Sequence, residues 1–174
     1  LDAAGWQGWL QVDVLQCIGF TLIFLQLLVW LAGTPQRFAK LAAGIGAFVV
    51  LFAPIAWGTD WAKFLPLSVS SYFTARTGSL FPLFPWSGYV LLGAGLGNVI
   101  EKAIARTGER ADGALNLSVI RIAALGGTAL ILSGIGISLS PLRPYGTIDF
   151  WTISPGVFLL KGGSVLLLLT MLYT

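Results

Sequence analysis

The sequence predicts an all-α fold, a polytopic transmembrane helix bundle with about five membrane spans. Hydrophobic residues make up 56% of the 174 residues and charged residues only 10%, and the mean hydropathy is +0.87. A soluble domain carries about 25% charged residues. The apolar runs are also continuous, whereas the strands of a membrane β-barrel alternate in polarity over about ten residues. These observations favour helices that cross a lipid bilayer.

The first predicted span covers residues 14–31. It lies in an uncharged run from Val14 to Gln36, and a helix needs about 20 apolar residues to cross the hydrocarbon core. Gly33 follows the span and is typical of a helix end. Gln16 and Gln26 lie within the span. Because a buried amide needs hydrogen-bond partners, we expect both to face other helices and not lipid.

The second predicted span covers residues 38–57 and returns antiparallel, because the link through Pro35 is short. Its glycines and alanines favour close helix packing. The connection that follows, residues 58–84, holds a few charges among many aromatic and aliphatic residues. It is too apolar for a free loop. We therefore predict an interfacial segment, with a short helix lying on the membrane surface.

Three further spans complete the prediction, at residues 85–104, 117–139 and 155–174. The third begins near Pro85, because proline cannot continue a helix but is tolerated in the first turn of a new one. An irregular, aromatic stretch at residues 79–84, here named the approach segment, leads into it. No linker or repeat divides the chain, which predicts a single transmembrane domain over residues 1–174.

The basic residues predict the orientation of the chain in the membrane. If the first loop is cytoplasmic, six of them lie inside: Arg37, Lys40, Lys102, Arg106, Arg110 and Arg121. Three lie outside: Lys63, Arg76 and Arg143. Six of the seven tryptophans then mark the outer interface. This distribution predicts an N-terminus outside and a cytoplasmic C-terminus.

Several kinds of chemistry find no support in the residues. The basic residues are scattered and form no cluster interleaved with aromatics, which argues against a nucleic-acid partner. The sequence has no histidine, the commonest general base. Cys17 is the single cysteine and is expected to be a small buried hydrophobe. No metal-ligand spacing occurs, and the residues alone indicate no catalytic group.

Gly93 and Gly97 superficially resemble part of a dinucleotide-binding loop. They follow no strand and lie in a membrane run, so the context for such a loop is wrong. Residues four apart share one helix face, as in small-residue packing motifs. We therefore predict that this face packs against another helix.

Two cations are candidate contacts for anionic groups. Lys161 lies inside an apolar run, roughly 10 Å along its predicted helix at 1.5 Å per residue. It either snorkels to the outer interface or binds an anionic group in the bundle, where Gly162 and Gly163 indicate a crowded interior. Arg121 is either a positive-inside anchor or a contact for a phosphate.

Three motifs resemble one family of membrane proteins. Val14–Gly19, reading Val-Leu-Gln-Cys-Ile-Gly, is similar to the opening of a central helix in heparan-α-glucosaminide N-acetyltransferase-like proteins. Leu80–Gly97, with its Phe-Pro-Leu-Phe-Pro-Trp-Ser-Gly core, resembles the bacterial DUF1624 branch of that group, related to YeiB-type proteins. Ser154–Gly162 resembles a late helix of the same branch, in which a basic residue commonly stands at the position of Lys161.

The resemblance implies a membrane acyltransferase that passes an acetyl group from acetyl-CoA to a sugar amine or hydroxyl across the membrane. It implies ten or eleven helices and a catalytic histidine near the early ones. The chain therefore resembles the central and C-terminal part of such a protein, and we expect an N-terminal portion with the catalytic region to precede it. Under this hypothesis the ligand-binding residues are Lys161, Arg121, Gln16, Pro85 and Trp86, and the acceptor approaches at Phe81–Trp86.

Two other hypotheses stay open. The chain could be a non-catalytic structural subunit of a larger membrane complex, because small-residue faces and aromatic residues suit lateral association. It could also be half of a transporter, with a broken-helix site at residues 82–85. The partners are then the lipid bilayer and either other membrane subunits or the missing N-terminal helices. The location predicted from the resemblance is a bacterial inner membrane.

Overall fold

A computed structural model describes residues 10–107, 117–139 and 153–172. Within these ranges the chain forms six α-helices and no β-strand. The helices are α1 (Val14–Ala32), α2 (Pro35–Gly58), α3 (Leu67–Ser70), α4 (Leu83–Thr107), α5 (Leu117–Leu139) and α6 (Pro155–Leu172). All except α3 are long and apolar enough to cross a membrane. The predicted all-α fold with five membrane spans is confirmed, and the protein is an integral membrane protein.

Local sequence signals explain the boundary between α1 and α2. Gly33 ends α1 in the left-handed conformation, with φ of 66°, which glycine adopts without steric cost. Thr34 caps α2, and its hydroxyl accepts a hydrogen bond from the Arg37 backbone nitrogen. Pro35 occupies the first turn, where its missing N–H costs nothing. The helix therefore begins earlier than the predicted residue 38.

The connection between α2 and α4 is built from short helical pieces. Two 3-10 helices, Trp61–Lys63 and Ala75–Thr77, flank α3. Gly78 ends the second of them with φ of 90°. The backbone nitrogen of Leu83 then donates to the carbonyl oxygen of Tyr72 at 2.8 Å. This hydrogen bond joins two parts of the same connection. The position of the connection at the membrane surface stays a prediction.

The start of α4 follows from its prolines. Phe84 is extended, with φ of −97° and ψ of 121°, although the residues on both sides are helical. Proline restricts the preceding residue to extended conformations, and Pro85 therefore fixes this break. The Phe84–Pro85 peptide bond is cis. The prediction that an irregular segment leads into a helix near Pro85 agrees with the structure.

The chain divides into two compact units, Leu1–Ala94 and Gly95–Thr174. The first contains α1, α2, α3 and the beginning of α4, and the second contains the rest of α4 with α5 and α6. Each unit has its own packed helix pair. The single domain predicted from the sequence stays a prediction.

In the second unit, α5 and α6 approach each other through two glycine pairs. A Cβ atom added to Gly163 would lie 2.6 Å from the carbonyl oxygen of Gly127, and one added to Gly134 would lie 2.7 Å from that of Gly156. Real Cβ atoms do not come this close, so the backbones touch. Residues 127 and 134 on α5 and residues 156 and 163 on α6 have the same spacing, so the helices are in antiparallel contact over this length.

The glycine packing predicted for α4 is not found among the described residues. A Cβ atom at Gly93 or Gly97 would meet nothing within 4 Å. Gly46 of α2 is a packed glycine of the first unit, because a Cβ there would lie 2.9 Å from Leu92 Cγ. The i, i+4 spacing correctly identified a shared face, but spacing alone does not show which side of the helix is covered.

Candidate functional site

A pocket in the first unit lies between α1, α2 and the first turns of α4. Its volume is about 130 Å³, and its walls are mostly aliphatic and aromatic. The lining residues are Phe20, Thr21, Phe24, Ile45, Val49, Leu83, Phe84, Ser87 and Leu91. None of them is ionisable, so the pocket presents an apolar surface with two hydroxyl groups.

Both pocket hydroxyls are engaged by their own helices. Thr21 Oγ1 donates to the carbonyl oxygen of Cys17 at 2.7 Å, and Ser87 Oγ donates to that of Leu83 at 2.8 Å. Such bonds to the residue four positions earlier are common for Ser and Thr in helices. The protons of these hydroxyls therefore point along the helices, and the pocket offers few donors to a ligand.

The backbone break at Phe84 forms one wall of the pocket. Because Phe84 is extended, its carbonyl oxygen is turned away from the regular helix ladder, and it accepts a hydrogen bond of 2.7 Å from Trp57 Nε1. Trp57 lies in the last turn of α2. This bond fastens the end of one span to the start of another at the edge of the pocket.

Aromatic rings surround the Phe84 side chain. Phe84 packs against Phe52 of α2 at a centroid distance of 5.7 Å and against Phe73 at 5.8 Å. Phe73 in turn contacts Trp61 at 5.0 Å. Aromatic pairs at these distances contribute more to stability than the apolar area that they bury would alone. The rings hold the approach segment against α2.

The approach segment is also fastened to the residues before α1. The carbonyl oxygen of Val12 accepts hydrogen bonds of 3.1 Å from the backbone nitrogens of both Leu80 and Phe81. The Val12 nitrogen donates to Ser79 Oγ at 3.0 Å, and both residues are 2% exposed. Backbone polar groups that are buried in this way need such partners. The approach segment is therefore a fixed part of the unit.

Three of the predicted ligand-binding residues lie in the first unit, outside the pocket lining. Gln16 is exposed, contrary to the expectation that it faces another helix, and its Oε1 accepts a hydrogen bond from the Asp13 nitrogen in a capping box. The first turn of α1 thus satisfies this amide. Pro85 is buried at the break. Trp86 packs against Phe81 at 5.3 Å and Tyr89 at 6.3 Å.

The other two, Arg121 and Lys161, are exposed residues of the second unit. The glycine pairs set the register of α5 and α6, and this register puts Arg121 opposite Leu169 and Lys161 opposite Ala129. About eight residues, or roughly 12 Å at 1.5 Å per residue, separate the two cations along the helix pair. They do not form one compact basic cluster. The crowding expected near Lys161 is present at Gly163, which is buried.

The sequence did not single out Trp57, Thr21 or Ser87 as site residues. Tryptophan at the end of a span is typical of a membrane interface, and Trp57 is one of the six tryptophans that the predicted orientation puts at the outer interface. Its bond to a carbonyl 27 positions later has no local signal. Within the described ranges, no group of histidine, cysteine or acidic residues could hold a metal ion.

Five apolar spans, with a mostly apolar pocket between three of them, define a polytopic membrane protein in a lipid bilayer. A family model described as heparan-alpha-glucosaminide N-acetyltransferase, catalytic, matches residues 4–135, which is more than half of the chain. The chain therefore belongs to this family, as the motifs indicated. No match was found among the curated proteins, and none among the solved structures.

The matched region includes the whole first unit as the structure describes it, and with it the pocket and the approach segment. The family is that of a membrane acetyltransferase whose acetyl donor is acetyl-CoA. The assignment to the DUF1624 branch stays a prediction.

Proposed function

We propose that the chain is part of an integral membrane acyltransferase that transfers an acetyl group from acetyl-CoA to a sugar amine or hydroxyl. The match to the catalytic family model over residues 4–135 is the observation that carries this proposal. In such a reaction the acceptor attacks the thioester carbonyl, the C–S bond breaks, and CoA leaves as the thiol. A general base takes the acceptor proton.

We assign the general base to a residue outside these 174 positions. The motif resemblance implies a histidine on early helices of the family, and the sequence contains none. The chain would then supply a wall of the donor tunnel and of the acceptor site, and by itself it would be inactive. The Phe81–Trp86 segment supports an acceptor-facing role, because hydrogen bonds and ring contacts hold it in one place.

The proposed orientation puts the approach segment on the outer face of a bacterial inner membrane, with the C-terminus in the cytoplasm. The excess of basic residues in the predicted inner loops supports it. Lys161 and Arg121 are then proposed contacts for anionic groups. Their separation along α5 and α6 favours two different groups over a single phosphate.

Acetyl transfer by the intact gene product tests this function. The product is purified from native membranes with a C-terminal tag, and transfer of labelled acetyl from acetyl-CoA to glucosamine is measured. We expect activity in a product about twice the 18.5 kDa mass of the chain. Trp86→Leu should raise the KM for glucosamine several-fold, whereas Trp30→Leu, at a residue 76% exposed on α1, should not. Equal kinetics in the two variants would contradict the acceptor-facing role.

A second candidate function is a non-catalytic structural subunit of a larger membrane complex. It is favoured by the uncovered face at Gly93 and Gly97, where nothing among the described residues lies within 4 Å of an added Cβ. No span has more than 33% of its most apolar stretch buried, so wide apolar surfaces face outward. A purified product near 18.5 kDa that copurifies with partners at fixed stoichiometry, without acetyl transfer, would support this function instead.

A further inference from the structure

The pocket between α1, α2 and α4 lies inside the membrane-spanning part of the first unit. Its volume of about 130 Å³ is close to that of a cavity lined by Leu, Ile and Phe, about 150 Å³, that stays dry and binds benzene. It is therefore large enough for a short stretch of hydrocarbon.

The walls disfavour a polar ligand. Thr21 and Ser87 already donate their hydroxyl protons to helix carbonyls at 2.7 and 2.8 Å, and the Phe84 carbonyl already accepts from Trp57. A polar group that enters the pocket would lose its hydrogen bonds to water, and the pocket walls would not replace all of them. This loss costs free energy. An apolar group would lose no hydrogen bond and would gain contacts with seven apolar side chains.

One residue of the pocket lining also belongs to an exposed apolar face of α1. Phe20 lines the pocket and is also 50% exposed, and Ile23 and Leu27 extend the exposed apolar face from it along α1, at 73% and 48%. Residues three and four apart lie on one side of a helix. This face lies within a candidate membrane span, so lipid acyl chains are the apolar groups that a bilayer would bring to it.

We propose that this pocket binds one acyl chain of a membrane phospholipid, which enters past Phe20 between α1 and the start of α4. The inference stands on the pocket walls and does not depend on acetyl transfer. An acyl chain there would fill the pocket and contact the Phe84 wall. It would support the approach segment from the membrane side.

Photolabelling in vesicles tests the proposal. The full protein is reconstituted in phosphatidylcholine that contains a fraction of the same lipid with a diazirine near the end of one acyl chain. On irradiation the diazirine loses nitrogen, and the carbene inserts into neighbouring C–H bonds. Peptide mass spectrometry should place adducts on the pocket walls, at residues 20–24, 45–49 and 83–91. Phosphatidylcholine with the diazirine in its headgroup should not label these residues.

A matched pair of variants on α2 gives the control. Ile45 lines the pocket, whereas Ile55 is 49% exposed and does not. Ile45→Trp should fill the pocket and reduce the pocket adducts several-fold, and Ile55→Trp should leave them unchanged. Val49→Ala enlarges the pocket, so it should raise the pocket adducts relative to those on Ile23 and serves if Ile45→Trp does not fold.

Two results would overturn the proposal. One is a spread of adducts over exposed residues such as Ile23 with no concentration at the pocket in the unaltered protein. The other is an adduct pattern that neither Ile45→Trp nor Val49→Ala changes. Either result would mean that the pocket is empty or is filled by another protein segment.

Discussion

Trp57 Nε1 donates a hydrogen bond of 2.7 Å to the carbonyl oxygen of Phe84. The bond joins the last turn of α2 to the break that precedes Pro85 in α4. It compensates for a local defect, because the extended Phe84 turns its carbonyl away from the helix ladder. A carbonyl left without a partner in an apolar environment would be costly. The bond therefore makes the break compatible with a membrane span.

Trp57→Phe should destabilise the first unit, because it removes the hydrogen-bond donor and keeps only a smaller aromatic ring. The loss of a partner for a partly buried carbonyl costs about 1–3 kcal/mol. The measurement is the free energy of unfolding of the purified protein in mixed micelles with increasing SDS.

Trp30→Phe is the matched control, because Trp30 is 76% exposed on α1. Its effect should stay within about 0.5 kcal/mol, as is usual for surface substitutions. If the two variants unfold at the same SDS fraction, the Trp57 bond does not stabilise the break.

Residues 83–85 show what the sequence could predict and what it could not. The start of a helix near Pro85 was predictable, since the conformational limits of proline act on its direct neighbours. The partner of the Phe84 carbonyl was not, because it comes from another helix. The same limit applies to the glycines: the sequence indicated crowding at Gly163 correctly, but it also indicated a packed face at Gly93 that the described residues leave open.

The candidate site was likewise predictable only in part from the sequence. Its membrane location and family were predictable from apolar runs and short motifs. The pocket itself depends on side chains from three helices, and only the packing of those helices brings them together. Gln16 shows the opposite error, because its amide suggested a contact between helices whereas the capping box satisfies it locally.

Ser79→Ala should loosen the approach segment. Ser79 Oγ accepts the hydrogen bond from the Val12 nitrogen, and both residues are 2% exposed, so the variant leaves a buried N–H without its acceptor. We expect a loss of about 1–3 kcal/mol. Hydrogen exchange of the Val12 amide measures this loosening, and the exchange should become faster in the variant.

Ser164→Ala provides the comparison, because Ser164 is exposed and its hydroxyl only donates to its own helix, at the Leu160 carbonyl. Its effect on stability should be small. Unchanged protection of the Val12 amide in Ser79→Ala would show that the side-chain bond does not hold this segment.

Gln16 can be tested as a cap and as a ligand contact with two substitutions. Gln16→Ala should cost about 1 kcal/mol by breaking the capping box. Gln16→Glu should keep the stability, because a carboxylate accepts the same bond from the Asp13 nitrogen and its charge is favourable near a helix N-terminus. Thermal unfolding in detergent gives both values.

Gln26→Ala, an exposed position in the middle of α1, is the control and should change little. If a ligand instead accepts a hydrogen bond from the Gln16 amide, activity and stability should respond differently to Gln16→Glu. Gln16→Glu would then lose acetyl transfer while it keeps its stability. Equal loss of stability in Gln16→Ala and Gln16→Glu would rule out the cap.

Gly163→Ala should separate α5 from α6. The new Cβ would lie 2.6 Å from the Gly127 carbonyl oxygen and 2.8 Å from Ile131 Cγ1. Backbone atoms in a packed helix pair cannot move aside as a flexible side chain can, so the helices must shift. Overpacking of this kind costs about 1–3 kcal/mol, measured as unfolding of the second unit in SDS titrations.

Gly136→Ala isolates the effect of contact from that of helix propensity. Gly136 lies in α5, and a Cβ there would meet nothing within 4 Å among the described residues. Alanine is a better helix former than glycine by about 1 kcal/mol in water, so this variant should be neutral or slightly stabilising. A loss in Gly136→Ala as large as that in Gly163→Ala would show that the glycine pairs do not determine how closely α5 and α6 pack.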